Sequence, residues 1–183
     1  MTFFFWSQIA ACCAFGCGLI SFQLPDRKSI LRCLTCLAAL NSCHFFLLGR
    51  SGPAVMMILT GTRYITAMYW QGRELIFLFA SAAVVTFFLS YQGPHSILAL
   101  TGALLGTVGS FQKSDRIMRL CFIGGNTVWL IHNLLAGSPV GTVMEASFLA
   151  SNAIGYLRFY HRKSAQTKSK QQCHAADSGR HTN

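Results

Sequence analysis

Asn126, Trp129, His132 and Asn133 stand three, four and seven positions apart, and that spacing brings side chains onto one face of a helix. Downstream, Glu145 and Asn152 are seven apart and share a face in the same way. Upstream lie Asn41 with His44, and then Thr60, Thr62 and Arg63. An Asn amide offers both a donor and an acceptor to a hydroxyl-rich or amide-bearing solute. An indole offers a flat apolar face to a sugar or another small ring. These types point to binding rather than bond-breaking. Arg63 is the one fixed charge at its depth, so a neutral polar solute is favoured and a small carboxylate comes second. No Ser-His-Asp order, phosphate loop or carboxylate pair can be assembled, so the chain does not read as an enzyme. Cys33 and Cys36 form a CxxC, but no second ligand pair completes a metal site, and no cofactor is expected.

The elements that must carry these residues are apolar. The 183-residue chain is 52% hydrophobic and only 11% charged, against about 25% charged residues in an ordinary soluble domain. Its apolar runs cover 3–22, 29–48, 54–70, 75–90, 96–112, 120–135 and 141–160. Each approaches the roughly 17–25 residues a helix needs to cross a bilayer, and helices are the default where lipid gives the backbone no partner. Turn formers break the runs at Pro25, Gly52-Pro53, Gly72, Gly93-Pro94 and Ser138-Pro139. The first run lacks a basic leader and a small-residue cleavage site, so it reads as a span. The formal charge of +10 sits between the spans and in the tail, which is a topology signal and not a nucleic-acid footprint. One set of loops carries Arg27, Lys28, Arg32, Arg73, Lys113, Arg116, Arg119, Arg162 and Lys163, while the other carries only Arg50. The basic side is expected to be cytoplasmic, with the N-terminus outside and the C-terminus inside.

The chain also echoes itself. SFQLPDR begins at Ser21, and SFQKSDR begins at Ser110. His44 in HFFLLG pairs with His132 in HNLLAG, and Gly49 and Gly137 close the two stretches. Small residues recur in the first run (Ala10, Ala14, Gly18) and in the fifth (Gly102, Gly106, Gly109), where helices in lipid approach closely. The expected fold is an all-α integral membrane protein with seven transmembrane helices. Residues 1–70 form one three-helix repeat, 71–91 a linker helix and 92–162 a second repeat, leaving 163–183 as a disordered basic cytoplasmic tail. A single linking span makes the repeats parallel, and such transporters hold their substrate near mid-membrane between the halves.

These residues resemble a family. The 3+1+3 plan is similar to the SWEET and PQ-loop superfamily, in which a Pro-Gln pair ends the first helix of each unit. Phe22-Gln23 and Phe111-Gln112 keep the Gln and replace the Pro. More narrowly, NSCHFFLLG, VWLIHNLLAGSPVGTVMEASFL and the Arg of TGTRYITA resemble the YgjV-type bacterial inner-membrane proteins. The resemblance implies a fold and an inner-membrane address, and says little about a solute. In SWEET-like proteins, Asn on the third helix of each unit contacts sugar. Asn152 matches that in the second unit, while the first unit offers only Thr60 or Thr62.

Two readings of the polar residues compete. Asn126, Asn133, Asn152, Trp129, Thr60 and Thr62 line a pocket, or they join helices by hydrogen bonds. His44 and His132 read as anchors between helices or loops. Arg63 and Glu145 read as a structural ion pair inside the bundle. Counted from the outer helix ends at ~1.5 Å per residue, His44, His132 and Glu145 lie in the outer third and Asn126, Arg63 and Asn152 near the middle. The function expected is a SWEET-like small-solute transporter, and the alternative is a non-transporting receptor or assembly factor. The partners expected are the bilayer and a small solute, with self-association into a homo-oligomer open and nucleic acid excluded.

Overall fold

The computed structural model describes residues 2–89, 91 and 93–161. The tail expected at 163–183 lies outside the described residues. Among these residues the chain forms seven helices: α1 (Phe3–Ser21), α2 (Arg27–Leu47), α3 (Ser51–Tyr69), α4 (Arg73–Leu89), α5 (Ser96–Ser110), α6 (Asp115–Leu135) and α7 (Pro139–Tyr156). The last continues into a wider π-helical turn, Leu157–His161. Lengths of 15 to 21 residues correspond to about 22–32 Å of helix. By length and composition α1 and α2 can each cross a membrane, and α5 is apolar over a shorter stretch.

Local signals explain the ends. Asp26 accepts the Ser29 amide at 2.8 Å and starts α2, and Ser138 accepts the Gly141 amide ahead of Pro139 in α7. Helices α2 and α6 stop in the same way. Gly49 (φ 72°) and Gly137 (φ 65°) take the left-handed conformation that glycine adopts without strain. The next amides, of Arg50 and Ser138, then close on the carbonyls of Phe45 and Asn133, each at 2.9 Å. Helix α6 begins at Asp115, five residues before the apolar run that starts at Leu120. The run undercounts the helix because Arg116 and Arg119 belong to its first turns.

The helices pack as neighbours in sequence, α1 on α2 on α3 and α5 on α6 on α7, with α4 against α5. The two groups meet where α1 touches α7 and where α3 touches α5. Both heptapeptides fall at one end of the bundle, and there the tightest packing lies. Phe22, Ile30, Leu31, Leu34, Ala67, Phe111, Met118 and Phe122 form a continuous buried cluster. Elsewhere large apolar side chains face outward, among them Phe77 at 71% and Leu89 at 84% exposure on α4, a helix with no fully buried residue. A surface that apolar on every side suits lipid and not water.

Arginines close the tight end. Arg27 of α2 donates from Nη2 to the carbonyls of Ala67 and Ser110, the latter at 2.7 Å. Arg119 of α6 donates to the carbonyls of Phe22, at 2.7 Å, and Leu24. Each arginine therefore satisfies a helix end of the opposite group, where carbonyls have no intrahelical partner. Both side chains are buried. The Arg119 guanidinium also lies 5.1 Å from the Phe159 ring in the π-helical turn.

Candidate functional site

A cavity of ≈ 470 Å³ lies between α3, α4, α5 and α6. It reaches the end of the bundle opposite the arginines, at His95 before α5 and Ala136 after α6. Arg63 lines it and donates from Nη1 to Thr107 Oγ1 at 2.9 Å. Thr107 is one turn from the close of α5, where Arg27 binds Ser110. Phe79 also lines the cavity and stacks on Phe111 at 5.7 Å, so the floor adjoins the buried cluster.

Thr60, Arg63, Trp129 and His132 are brought together on the walls. The Trp129 ring meets that of His132 edge-on at 5.3 Å and packs over Gly102, whose missing side chain makes the room. His132 Nδ1 lies 2.9 Å from the carbonyl oxygen of His95. A carbonyl only accepts, so Nδ1 is the donor in this contact. His44 makes the same contact with Ser7, 2.8 Å away and also 37 positions earlier in the chain, outside the cavity.

The remaining residues of the sequence reading stand elsewhere. Asn152 is fully buried and donates to the Arg119 carbonyl at 3.1 Å, so it joins α7 to α6 near the arginine end. It cannot offer its amide to a solute in this cavity. Asn126 is half-buried on α6 outside the lining, with Nδ2 enclosed and without a hydrogen bond. Asn133 packs where α6 turns into α7, close enough to Gly141 that an added Cβ would lie 2.9 Å from its Cγ. Thr62 is exposed and returns its hydroxyl to Ile58 within α3. Arg63 and Glu145 do not pair. Arg63 binds Thr107 and lies 5.0 Å from the Tyr64 ring, whereas Glu145 is on α7, which takes no part in the cavity. The packing order explains this, since α3 meets α5 and α7 meets α1.

Helix α4, taken from sequence as a mere linker, supplies a wall. Phe79, Ala83, Thr86 and Phe87 follow the spacing of one helical face, a signal that was readable. His95 and Ser96 had no such signal beside Gly93-Pro94. The arrangement can hold a solute by one cation, a few hydroxyl and imidazole groups and an otherwise apolar wall.

A family profile described as a bacterial inner membrane protein, Imp-YgjV, matches residues 5–163. The chain belongs to the YgjV family. The chain is also 27% identical over 160 residues to the inner membrane protein YgjV of Escherichia coli (strain K12), covering 87% of each. No solved structure matches the chain. As a YgjV-family protein it is a bacterial inner membrane protein, and the outward apolar surface of all-helical packing agrees with that address.

Proposed function

We propose that this YgjV-family chain is a multi-pass transporter of a small solute, built on the SWEET and PQ-loop plan as two parallel three-helix repeats around a linker helix. The observation that carries the reading is the contrast between the two ends. A cavity with a cationic floor reaches one end, while buried arginines and a packed cluster close the other. That contrast supports an alternating-access protein resting open to one side. The paired histidine contacts, the matching glycine stops and the reciprocal arginine contacts support the repeat.

The loop cations orient it, with the N-terminus outside, the C-terminus cytoplasmic and the arginine end inward. Cysteines placed at Arg50 and Lys113, both exposed, test the orientation in a cysteine-free background. A membrane-impermeant thiol reagent should label the first in intact cells and the second only after permeabilisation. The reverse pattern would overturn the topology.

Uptake by proteoliposomes across sugars, organic acids and amino acids tests transport. At least one solute should accumulate, and Trp129→Ala should reduce that accumulation while the protein still melts normally. If nothing accumulates in either orientation of reconstitution, the chain is a receptor or assembly factor.

A further inference from the structure

We infer that the cavity takes a small organic monoanion with an apolar body, a monocarboxylate seated on Arg63; the inference rests on the reading of the cavity as a solute site. Arg63 is the only fixed charge among the lining residues, and none of them is Asp or Glu. A guanidinium at that depth of a membrane protein is costly without a counter-charge. The contacts present do not supply one. Thr107 Oγ1 accepts from Nη1, but it is neutral, and its own proton goes to the Ala103 carbonyl at 2.8 Å. Tyr64 lies 5.0 Å away and is uncharged. Arg63 Nε is enclosed and has no hydrogen-bond partner. The cation is thus held in place and left unneutralised beside an open volume.

The number of charges follows from the lining. No lysine and no second arginine lines the walls, so beside the titratable His95 and His132 the cavity offers one fixed positive charge, which one carboxylate matches. His132 Nδ1 is engaged by the His95 carbonyl. One carboxylate suits one guanidinium through charge-assisted bonds, here from Nη2 and the remaining Nη1 proton, since Nε is enclosed and Nη1 also serves Thr107. The rest of the wall asks for an apolar body. Met56, Met57, Leu59, Phe79, Phe87 and Leu100 face the space, and methionines adapt to irregular shapes. The amides that favoured a sugar, those of Asn126 and Asn152, do not line the space.

The test uses Trp129 as the reporter. Trp6→Phe and Trp70→Phe, both at exposed positions, leave it the sole indole. The protein is placed in phosphatidylcholine nanodiscs and titrated with 3-phenylpropionate, with 3-phenylpropionamide and with glucose. The acid should change Trp129 emission saturably at a concentration about tenfold or more below the amide, the difference expected of one charge-assisted contact. Arg63→Gln should bring the acid's affinity down to that of the amide and leave the amide's own affinity in place, and Arg63→Lys should keep part of the preference. Equal binding of acid and amide, or tighter binding of glucose, would sink the carboxylate assignment while leaving a solute site. No saturable response to any probe would sink both. Phosphatidylglycerol nanodiscs separate a lipid source of the anion. If that lipid alone produces an Arg63-dependent change and blocks the acid, the occupant is a headgroup and the inference fails. Should Arg63→Gln not fold, the acid-to-amide ratio of the parent protein decides the matter.

Discussion

Arg119 Nη1 lies 2.7 Å from the carbonyl oxygen of Phe22, which ties α6 to the end of α1 across the two helix groups. Its counterpart is Arg27, which reaches Ser110 at the end of α5. The two acceptors sit at neighbouring positions of the doubled heptapeptide, Ser110 being its first residue in one copy and Phe22 its second in the other.

Removing one of these donors should loosen the closed end. Arg119→Gln leaves the Phe22 and Leu24 carbonyls short of charged donors, each such bond being worth about 1.5–3 kcal/mol. A cysteine at Ser21 should then react faster with a thiol reagent added from the arginine side, and the melting temperature in detergent should fall. Unchanged reactivity would mean the arginine does not hold the end shut.

Gly155 should tolerate no side chain. A Cβ there would lie 2.1 Å from the Phe22 carbonyl oxygen and 2.9 Å from Arg119 Nη1. A backbone oxygen cannot swing aside, so α7 would have to retreat from α1. Gly155→Ala is expected to cost about 1–3 kcal/mol, as overpacking does, and to lower the melting temperature by several degrees. Gly52→Ala, at a position with nothing within 4 Å, is the control for glycine replacement itself.

Gly102→Ala should act on the cavity instead. The new Cβ would meet the Trp129 ring at 2.6 Å from Nε1 and 2.7 Å from Cδ1. The ring is a side chain with space beside it, so it moves toward the cavity. Trp129 emission should shift and solute binding should weaken, while stability changes little. A large loss of stability with unaltered emission would show that Trp129 has no room to move.

The seven helices and their matching ends were legible in sequence because their signals are local. The heptapeptides, the His-x4-Gly stops and the apolar runs each depend on a few neighbouring residues. Which arginine turns inward was not legible. In the first group it is the heptapeptide's own Arg27, whereas Arg116 of the second copy is exposed and donates to Tyr156 at 2.9 Å, leaving the inward place to Arg119 one turn later. The site was half legible for a related reason. Helical spacing correctly put Trp129 and His132 on one face, but the face it assigned to Asn152 meets α6 and not the cavity. Facing depends on which helices pack together: the spacing of Phe79, Ala83, Thr86 and Phe87 marks one face of α4, but only the packing shows that this face meets a cavity.

Asp26 gives the one acid-dependent expectation outside the spans. The Ser29 amide holds its carboxyl below the usual aspartate range. A lowered folded value means its contribution is complete above the ordinary aspartate range and is lost as the pH falls through the folded value. Asp26→Ala should cost about 1 kcal/mol at neutral pH, as loss of an N-cap does. The variant and the parent should converge in melting temperature on acidification, and a gap that persists in strong acid would assign the effect to something other than the carboxylate.

The reciprocal arginines also bear on descent. On the proposed repeat, the two groups of three helices share their closed end: Arg27 bonds Ala67 of its own group and Ser110 of the other, and Arg119 bonds Phe22 and Leu24 of the first group. On that proposal, a gene encoding one group alone would have relied on a second copy beside it to complete the cross-group bonds, and fusion through α4 would have made the exchange permanent within one polypeptide. Divergence of the two copies would then account for a cavity lined by Trp129 where the first group carries Asn41.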